Sequence, residues 1–211
     1  MLRLHYAPGA CSLASHIALE ESGAPYEAVS VSLKDGEQRS AAFIKLNPKS
    51  RVPVLETDKG VLTETVAILP YIAATAGKPE LAQLDDPYAF AQFQAFTAFI
   101  SSTVHVAMAH GVRAERWADD PAAIQAMVAK APSGSRQQFV LVEERLADGR
   151  PFVMGERYTF ADPYLAVMSA WLKNRGWAQE SDFPKVADHR KRILSRPASK
   201  KVLAVEGLDW S

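Results

Sequence analysis

The chain has 211 residues, of which 48% are hydrophobic and 23% charged, a composition typical of a folded protein with a sizeable core. The 24 basic residues balance 24 acidic ones, which argues against a general nucleic-acid binder or a protein held on an anionic membrane. No apolar run approaches the roughly 20 residues of a membrane span, and the N-terminus lacks a signal core, so we expect no export. The single cysteine, Cys11, excludes an intramolecular disulfide and a multi-cysteine metal site, so a cytoplasmic protein without a metal is expected.

The first part of the chain alternates short strand-like and helix-like segments, the pattern of an α/β unit. Strands are predicted at residues 2–6, 26–33, 52–56 and 60–63. Helices are predicted at 13–22 and 65–76, with a short polar helix between them that ends near residue 46. Asp58-Lys59-Gly60 predicts a hairpin turn, so the last two strands should be antiparallel. The order βαβ, α, ββα predicts a thioredoxin-like domain over residues 1–77.

The second part of the chain carries helical periodicity and no convincing strand. Residues 78–87 are interpreted as a linker, and Pro87 suits the first turn of a long helix that ends near Gly111. A second helix after Pro121 should be broken or kinked near Pro132, and further helices are predicted at 162–173, 184–194 and 198–205. Residues 88–211 therefore form an all-helical domain in this interpretation.

Cys11 is the first candidate for chemistry, because it lies between the first strand and the first helix. Backbone N–H groups and the positive end of the helix dipole would favour a thiolate there, on the protein or on a bound thiol. Lowering a thiol pKa by about two units stabilises the anion by about 2.7 kcal/mol. The alternative is a small buried core residue, which is common for a single cysteine.

Four further segments carry weaker signals. Local sequence favours an ordinary trans bond at Val52-Pro53. At Glu64-Thr65 the plain interpretation is a helix N-cap at Thr65, whereas the functional one is a site where the helix N-terminus takes a carboxylate and Glu64 an ammonium group. His105 on the long helix is more often a structural hydrogen-bonder than a catalyst. The capping box at residues 159–162 predicts a role in folding, not chemistry.

Taken together, these segments resemble the cytosolic glutathione transferases, and among them the bacterial beta class, whose hallmark is a cysteine just before the first helix. The motifs are PGACSLASHIALEESG at residues 8–23, NPKSRVPVL at 47–55, LTETVAI at 62–68 and YTFADPYL at 158–165. Their order and spacing cover nearly the whole chain. The resemblance implies a thioredoxin-like domain followed by an all-helical domain, a homodimer, and a cis bond before Pro53.

The resemblance also implies roles for individual residues. Cys11 would sit beside the glutathione sulfur with Tyr6 close behind it, and His105 would line the pocket of the second substrate, so these three are the catalytic candidates. Val52 would pair its backbone with the cysteinyl part of glutathione, and Glu64 and Thr65 would hold its γ-glutamyl end. The full set of implied substrate-binding residues is Ala10, Arg51, Val52, Pro53, Glu64 and Thr65.

The chain departs from the beta class around His105. Polar residues common there are replaced by Ala98, Thr103 and Val106, and Arg51 stands where Gln is usual. We therefore expect an intact glutathione half and a more apolar pocket for the second substrate.

Three functions follow as hypotheses. The leading one is a detoxifying glutathione S-transferase, in which glutathione is a co-substrate, no further cofactor is needed, and the thiolate attacks an apolar electrophile. The second is a glutathione-dependent thiol–disulfide oxidoreductase acting through Cys11, with glutathione resolving the mixed disulfide because a second cysteine is lacking. The third is a non-catalytic protein that binds apolar ligands.

Overall fold

The N-terminal part of the protein is a four-stranded sheet with helices, seen in a computed structural model that describes residues 1–210. Its elements are β1 (Leu2–Tyr6), α1 (Ser12–Ser22), β2 (Tyr26–Ser30), α2 (Ala41–Leu46), β3 (Val54–Thr57), β4 (Gly60–Thr63) and α3 (Thr65–Thr75). The strand order is β2-β1-β3-β4. β1 pairs parallel with β2 and antiparallel with β3, and β3 pairs antiparallel with β4, so the predicted thioredoxin-like arrangement and hairpin are confirmed.

Two strands are shorter than predicted. β2 ends at Ser30, and the chain then turns at Ser32, whose N–H donates to Glu37 at 2.7 Å. β3 begins at Val54 instead of residue 52, since Pro53 has no N–H to give to a ladder. The segment before β3 is therefore free of strand pairing, which matters for the site described below.

The C-terminal part is helical. Its elements are α4 (Pro87–Phe99), a π-helical segment (Ile100–Val104), α5 (His105–His110), α6 (Pro121–Arg145), α7 (Ala161–Asn174), α8 (Pro184–Leu194) and α9 (Pro197–Glu206). As predicted, Pro87 stands in the first turn of α4, with Asp86 accepting from the N–H groups of Tyr88 and Ala89. The long helix is interrupted by the π segment directly before His105, a feature that often accompanies functional sites.

Of the break or kink predicted near Pro132, the break is wrong, because α6 runs through this residue without interruption. A proline removes one backbone hydrogen bond from a helix. Here a continuous buried face, made of Ala131, Ser135, Phe139 and Val142, holds the turns on both sides of Pro132 against the core.

The two parts share one core, in which α1 packs against α3, α7 and α9. The buried carboxylate of Glu206, at the end of α9, accepts from the Gly9 N–H at 2.9 Å and contacts His16 Nδ1 at 2.7 Å. The C-terminal helix thereby fixes the loop between β1 and α1.

A second buried carboxylate organises the helical part. Asp162 accepts from the backbone N–H groups of Val153 and Thr159, each at 2.8 Å, and contacts His189 Nε2 at 2.8 Å. This matches the folding role predicted for residues 159–162. Within residues 1–210, no helix is both long enough and apolar enough to cross a membrane.

Candidate functional site

A cavity of about 730 Å³ lies between the sheet domain and the helices. It gathers most of the site residues that the sequence and the resemblance predicted. Those that line it are Ala10, Cys11, Arg51, Val52, Pro53, Glu64, Thr65 and His105. Segments far apart in the sequence therefore converge on one space.

Cys11 precedes the first residue of α1 and is partly buried. Its Sγ donates to the carbonyl oxygen of Val52 at 3.5 Å. Burial raises the pKa of the Cys11 thiol to about 11, although Arg113 and the backbone N–H groups at the helix start act in the opposite direction. The favourable field expected at the helix start exists, but desolvation outweighs it, so Cys11 is a neutral thiol at pH 7.

The loop that carries Cys11 is held from three sides. Ser12 Oγ accepts from the Ala7 N–H, Glu206 accepts from the Gly9 N–H, and Trp171 Nε1 donates to the Gly9 carbonyl at 2.8 Å. Gly9 has a φ of 67°, and an added Cβ would lie 3.2 Å from Trp210. This position therefore requires glycine both for its backbone conformation and for its packing.

The segment before β3 presents backbone groups to the cavity. Asn47 holds this segment in place. Its Nδ2 donates to the Arg51 carbonyl at 2.7 Å, and its Oδ1 accepts from the Lys49 N–H at 3.1 Å. The Val52–Pro53 bond is cis, as the resemblance implied and against the local expectation. Within residues 1–210 the Val52 N–H donates to no acceptor, and its carbonyl meets the weak thiol donor of Cys11. Such a backbone pair can receive an extended peptide.

Glu64 stands at the N-cap of α3, so the N-cap expected at Thr65 is one residue out of register. Its φ of 73° is rare for a residue with a side chain. The Glu64 carboxylate is exposed and pairs with Lys49 Nζ, which also donates to Thr63 Oγ1 at 2.8 Å. Thr65 is buried beside it in the first turn of α3. An acid and a helix N-terminus therefore lie together, as a zwitterion would require.

His105 faces the cavity from the first turn of α5. Its ring meets the Trp171 ring edge-on, with centroids 5.1 Å apart. Burial, and then the nearby guanidinium groups of Arg113 and Arg51, lower the pKa of His105 to about 4. The imidazole is thus neutral at pH 7.

Tyr6 is the predicted residue that the structure does not bring to the cavity. It is buried in β1, and its ring packs on His16 with centroids 4.7 Å apart. Burial raises the pKa of its hydroxyl. Alternation along β1 turns this side chain into the core, so the structure gives it no contact with a ligand in the cavity.

Arginines are the site residues that sequence reasoning missed. Besides Arg51, the cavity is lined by Arg39, Arg113, Arg116 and Arg175. The cavity wall around His105 therefore carries charge as well as apolar groups, a charge that the expectation of a more apolar pocket did not include. That expectation considered only the neighbours of His105, whereas Arg113, Arg116 and Arg175 lie beyond the ends of α5 and α7, where no local motif marks them. Among residues 1–210 no group of three or more acidic, His or Cys side chains could hold a metal ion.

The site lies at the edge of a thioredoxin-like domain and is covered by helices. Within the described part of the chain the Val52 N–H is unpaired there, and Cys11 offers a thiol. These features together define a class of proteins that bind a peptide with a thiol. Family models agree: the glutathione S-transferase N-terminal domain matches residues 2–74 and the C-terminal domain residues 65–197. The glutathione S-transferase GstA of Escherichia coli O157:H7 is 31% identical over 98% of this chain and all of its own length.

Solved structures are similar over both parts of the chain. A glutathione transferase homologue from Sulfitobacter, with bound glutathione, has a TM-score of 0.91 and 36% identity and covers 99% of both chains. The beta-class glutathione S-transferase of Sphingomonas chungbukensis has a TM-score of 0.84 and 32% identity, covering 98% of this chain and 100% of its own. The protein belongs to the glutathione S-transferase family and resembles its bacterial beta class.

Proposed function

We propose that this protein conjugates glutathione, as the thiolate, to an electrophilic carbon of a second substrate with an apolar body. The observation that carries the proposal is the convergence of Cys11, the unpaired Val52 N–H and the Glu64–helix pair on one cavity. These groups match a thiol, a peptide backbone and an amino-acid end. Glutathione contains all three.

In this proposal glutathione lies along the edge of the sheet domain. Its cysteinyl backbone pairs with Val52, and its γ-glutamyl carboxylate meets the N-terminus of α3 at Thr65. Its ammonium group takes the place of Lys49 Nζ at Glu64. Arg51 and Ala10 border the same space, as does Pro53. Domain boundaries at 1–77, 78–87 and 88–211 would place glutathione mainly on the first domain and the second substrate on the last.

The thiolate of glutathione would be stabilised by fixed donors and by positive charge. Pairing of the Val52 carbonyl with glutathione would release the Cys11 S–H, which then donates to the bound thiolate. His105 is neutral and carries an N–H that can do the same. Five guanidiniums around the cavity favour an anion at this position.

The neutral Cys11 thiol favours conjugation over the oxidoreductase alternative. A nucleophilic cysteine requires thiolate character, whereas burial raises this pKa to about 11. Cys11 therefore acts as a hydrogen-bond donor to the glutathione sulfur in this proposal, and Tyr6 supports the fold beneath it.

The test compares two activities in the wild type, Cys11→Ala and Cys11→Ser. Conjugation is followed with an aryl halide, and thiol transfer with a glutathione mixed disulfide. We expect the wild type to conjugate, Cys11→Ser to retain most of that rate, and Cys11→Ala to lose about tenfold, the effect of one charge-assisted hydrogen bond. Absence of conjugation by folded wild type, with thiol transfer that Cys11→Ala abolishes, would contradict the proposal and establish the alternative.

We also propose a homodimer in the cytoplasm. The family likeness supports the dimer, and so does α4, where Tyr88 is 74% exposed on an aromatic-rich helix. The single cysteine fits a reducing compartment. Light scattering at micromolar concentration should give twice the 23.1 kDa chain mass, and a monomer mass would contradict the dimer.

A further inference from the structure

The cavity holds an excess of positive charge that the protein itself does not balance. Five guanidiniums line it: Arg39, Arg51, Arg113, Arg116 and Arg175. Among residues 1–210 none of them has a carboxylate oxygen within 4.0 Å, whereas five arginines outside the cavity are paired with a carboxylate, such as Arg196 with Glu21 at 2.5 Å. The cavity carboxylates are Glu64, which is already held by Lys49, and the exposed Glu115.

Three of the five guanidiniums belong to the helical wall. Arg113 and Arg116 follow α5, and Arg175 follows α7. Arg39 and Arg51 belong to the opposite wall, along which glutathione is proposed to bind. One wall can thus attract the carboxylates of glutathione, while the other retains three positive charges that face the second substrate.

These three arginines form one positive field. Burial, and then the like charge of Arg113, lower the pKa of both Arg116 and Arg175. Arg113 also opposes, without overcoming, the burial that raises the pKa of the Cys11 thiol. The positive charge of Arg113 therefore acts on both neighbouring arginines and on the thiol.

Arg175 is held in place by aromatic rings. Its guanidinium carbon lies 4.9 Å from the centroid of Trp171 and 5.5 Å from that of Trp177. Trp171 is in turn fixed by its hydrogen bond to the Gly9 carbonyl. A partly buried guanidinium positioned by two indoles, with its N–H edge available, can form directed hydrogen bonds to a planar acid group.

The same wall has apolar surface next to the charges. The residues that supply it are Val106, Ala109, Val112 and Trp117. Trp117 is fixed edge-on against His110, with ring centroids 4.4 Å apart. This part of the cavity therefore suits a molecule with a flat apolar body and an acidic end.

We infer that the second substrate is an anionic electrophile, an apolar or aromatic molecule that carries a carboxylate. The inference rests on the proposed function and specifies its substrate class. Arg113 and Arg175 bind the carboxylate, which places the electrophilic carbon towards the sulfur near Cys11. In the reaction the glutathione sulfur forms a bond to that carbon, the leaving group departs with the bonding pair, and the thiol proton passes to solvent.

The experiment compares a carboxylic acid with its uncharged ester. One acceptor is a chlorodinitrobenzoate whose chlorine lies para to the carboxylate, and the other is its methyl ester; both lose chloride when glutathione attacks. The readout is the ratio of kcat/KM for the acid to that for the ester, each corrected for the uncatalysed reaction. We expect Arg113→Gln to lower this ratio about tenfold or more. Arg175→Gln, at the second arginine assigned to the carboxylate, should lower the ratio as well, whereas Arg157→Gln, on the surface outside the cavity, should keep the wild-type ratio.

Glutathione is itself an anion, so its KM is measured with both acceptors. An unchanged acid-to-ester ratio in both cavity variants, with only a higher KM for glutathione, would show that the wall serves glutathione and would overturn the inference.

Binding separates this inference from the proposed function. If neither acceptor is turned over, conjugation fails as the function, and calorimetry with the two presynthesised glutathione conjugates decides the substrate class alone. Tighter binding of the acid conjugate, by about tenfold and dependent on Arg113, supports the inference. Equal binding of acid and ester conjugates overturns it.

Discussion

The buried charges of the core and the charges of the cavity are arranged in opposite ways. In the core, Asp162 is surrounded by His189 and two backbone N–H groups, and Glu206 by His16 and the Gly9 N–H. In the cavity, by contrast, guanidiniums face one another, and among residues 1–210 no carboxylate pairs with them.

This difference separates folding from function. A buried ionisable group without partners is costly, so the core carries its partners within the chain. Like charges left together around a solvent-filled cavity lower the stability of the free protein and are compensated when an anion binds. The uncompensated charges therefore identify what the protein binds, whereas the compensated ones explain how it folds.

The largest expected effect comes from removing a buried carboxylate of the core that has its partners within the chain. Asp162→Ala removes the acceptor of two backbone N–H groups and the partner of His189. The free energy of unfolding should therefore fall by about 3–5 kcal/mol. Urea denaturation measures the loss. Asp188→Ala, on the exposed face of α8, is the matched control and should change stability by less than about 0.5 kcal/mol. A loss as small as that control's would show that the pairing of Asp162 is not what holds this region.

His105 should make stability depend on pH in the acid range. Its folded pKa is lowered from 6.5 to about 4, so between these values the unfolded state binds a proton that the folded state does not. Above pH 6.5 the His105 ring is neutral in both states and costs no stability. As the pH falls below 6.5 the folded state becomes less stable, and the loss reaches about 3 kcal/mol at pH 4.

The measurement is urea denaturation of the wild type and His105→Gln across this pH range. The variant should lose less stability than the wild type on acidification. Parallel curves for the two proteins would contradict the lowered pKa that burial and the nearby guanidiniums give His105.

Glu64 shares features of the core and of the cavity. It has a partner within the chain, Lys49, but that partner is exposed and a ligand can replace it. Glu64→Ala should weaken glutathione binding by about 1–3 kcal/mol, the contribution of a charge-assisted hydrogen bond. Glu64→Gln should lose less, because it keeps one acceptor oxygen. Calorimetry provides the affinities, with Glu115→Ala on the other wall of the cavity as control. Wild-type affinity in Glu64→Ala would remove Glu64 from the site.

The smallest effect is a gain. Arg113→Gln removes one of the repelling guanidiniums, so the free protein should become more stable by about 0.5 kcal/mol at low salt. The gain should shrink as salt screens the repulsion. Thermal and urea unfolding test it against Arg157→Gln, which lies outside the cavity and should show no gain. A loss of stability in Arg113→Gln would mean that Arg113 serves packing more than ligand binding.

Much of the fold could be read from local patterns. The hairpin at residues 58–60, the start of α4 at Pro87 and the bounds of α8 follow from turn residues, proline at a first helical turn and apolar periodicity. Pro132 shows the limit of such rules, since a helix-breaking residue is overruled by the packing of the turns around it. Likewise, the N-cap expected at Thr65 moved to Glu64, whose positive φ no propensity predicts.

The sequence by itself determined the two-part architecture, the loop that presents Cys11 and the segments that border the cavity, because each depends on neighbours in the chain. Only the tertiary structure decided the state of the side chains there. Burial keeps the Cys11 thiol and the His105 ring neutral, and Tyr6 turns into the core. Arg113 and Arg116, which follow α5, line the same cavity as Arg175, which follows α7. Desolvation and Coulomb interactions depend on distance in space, which no local pattern records.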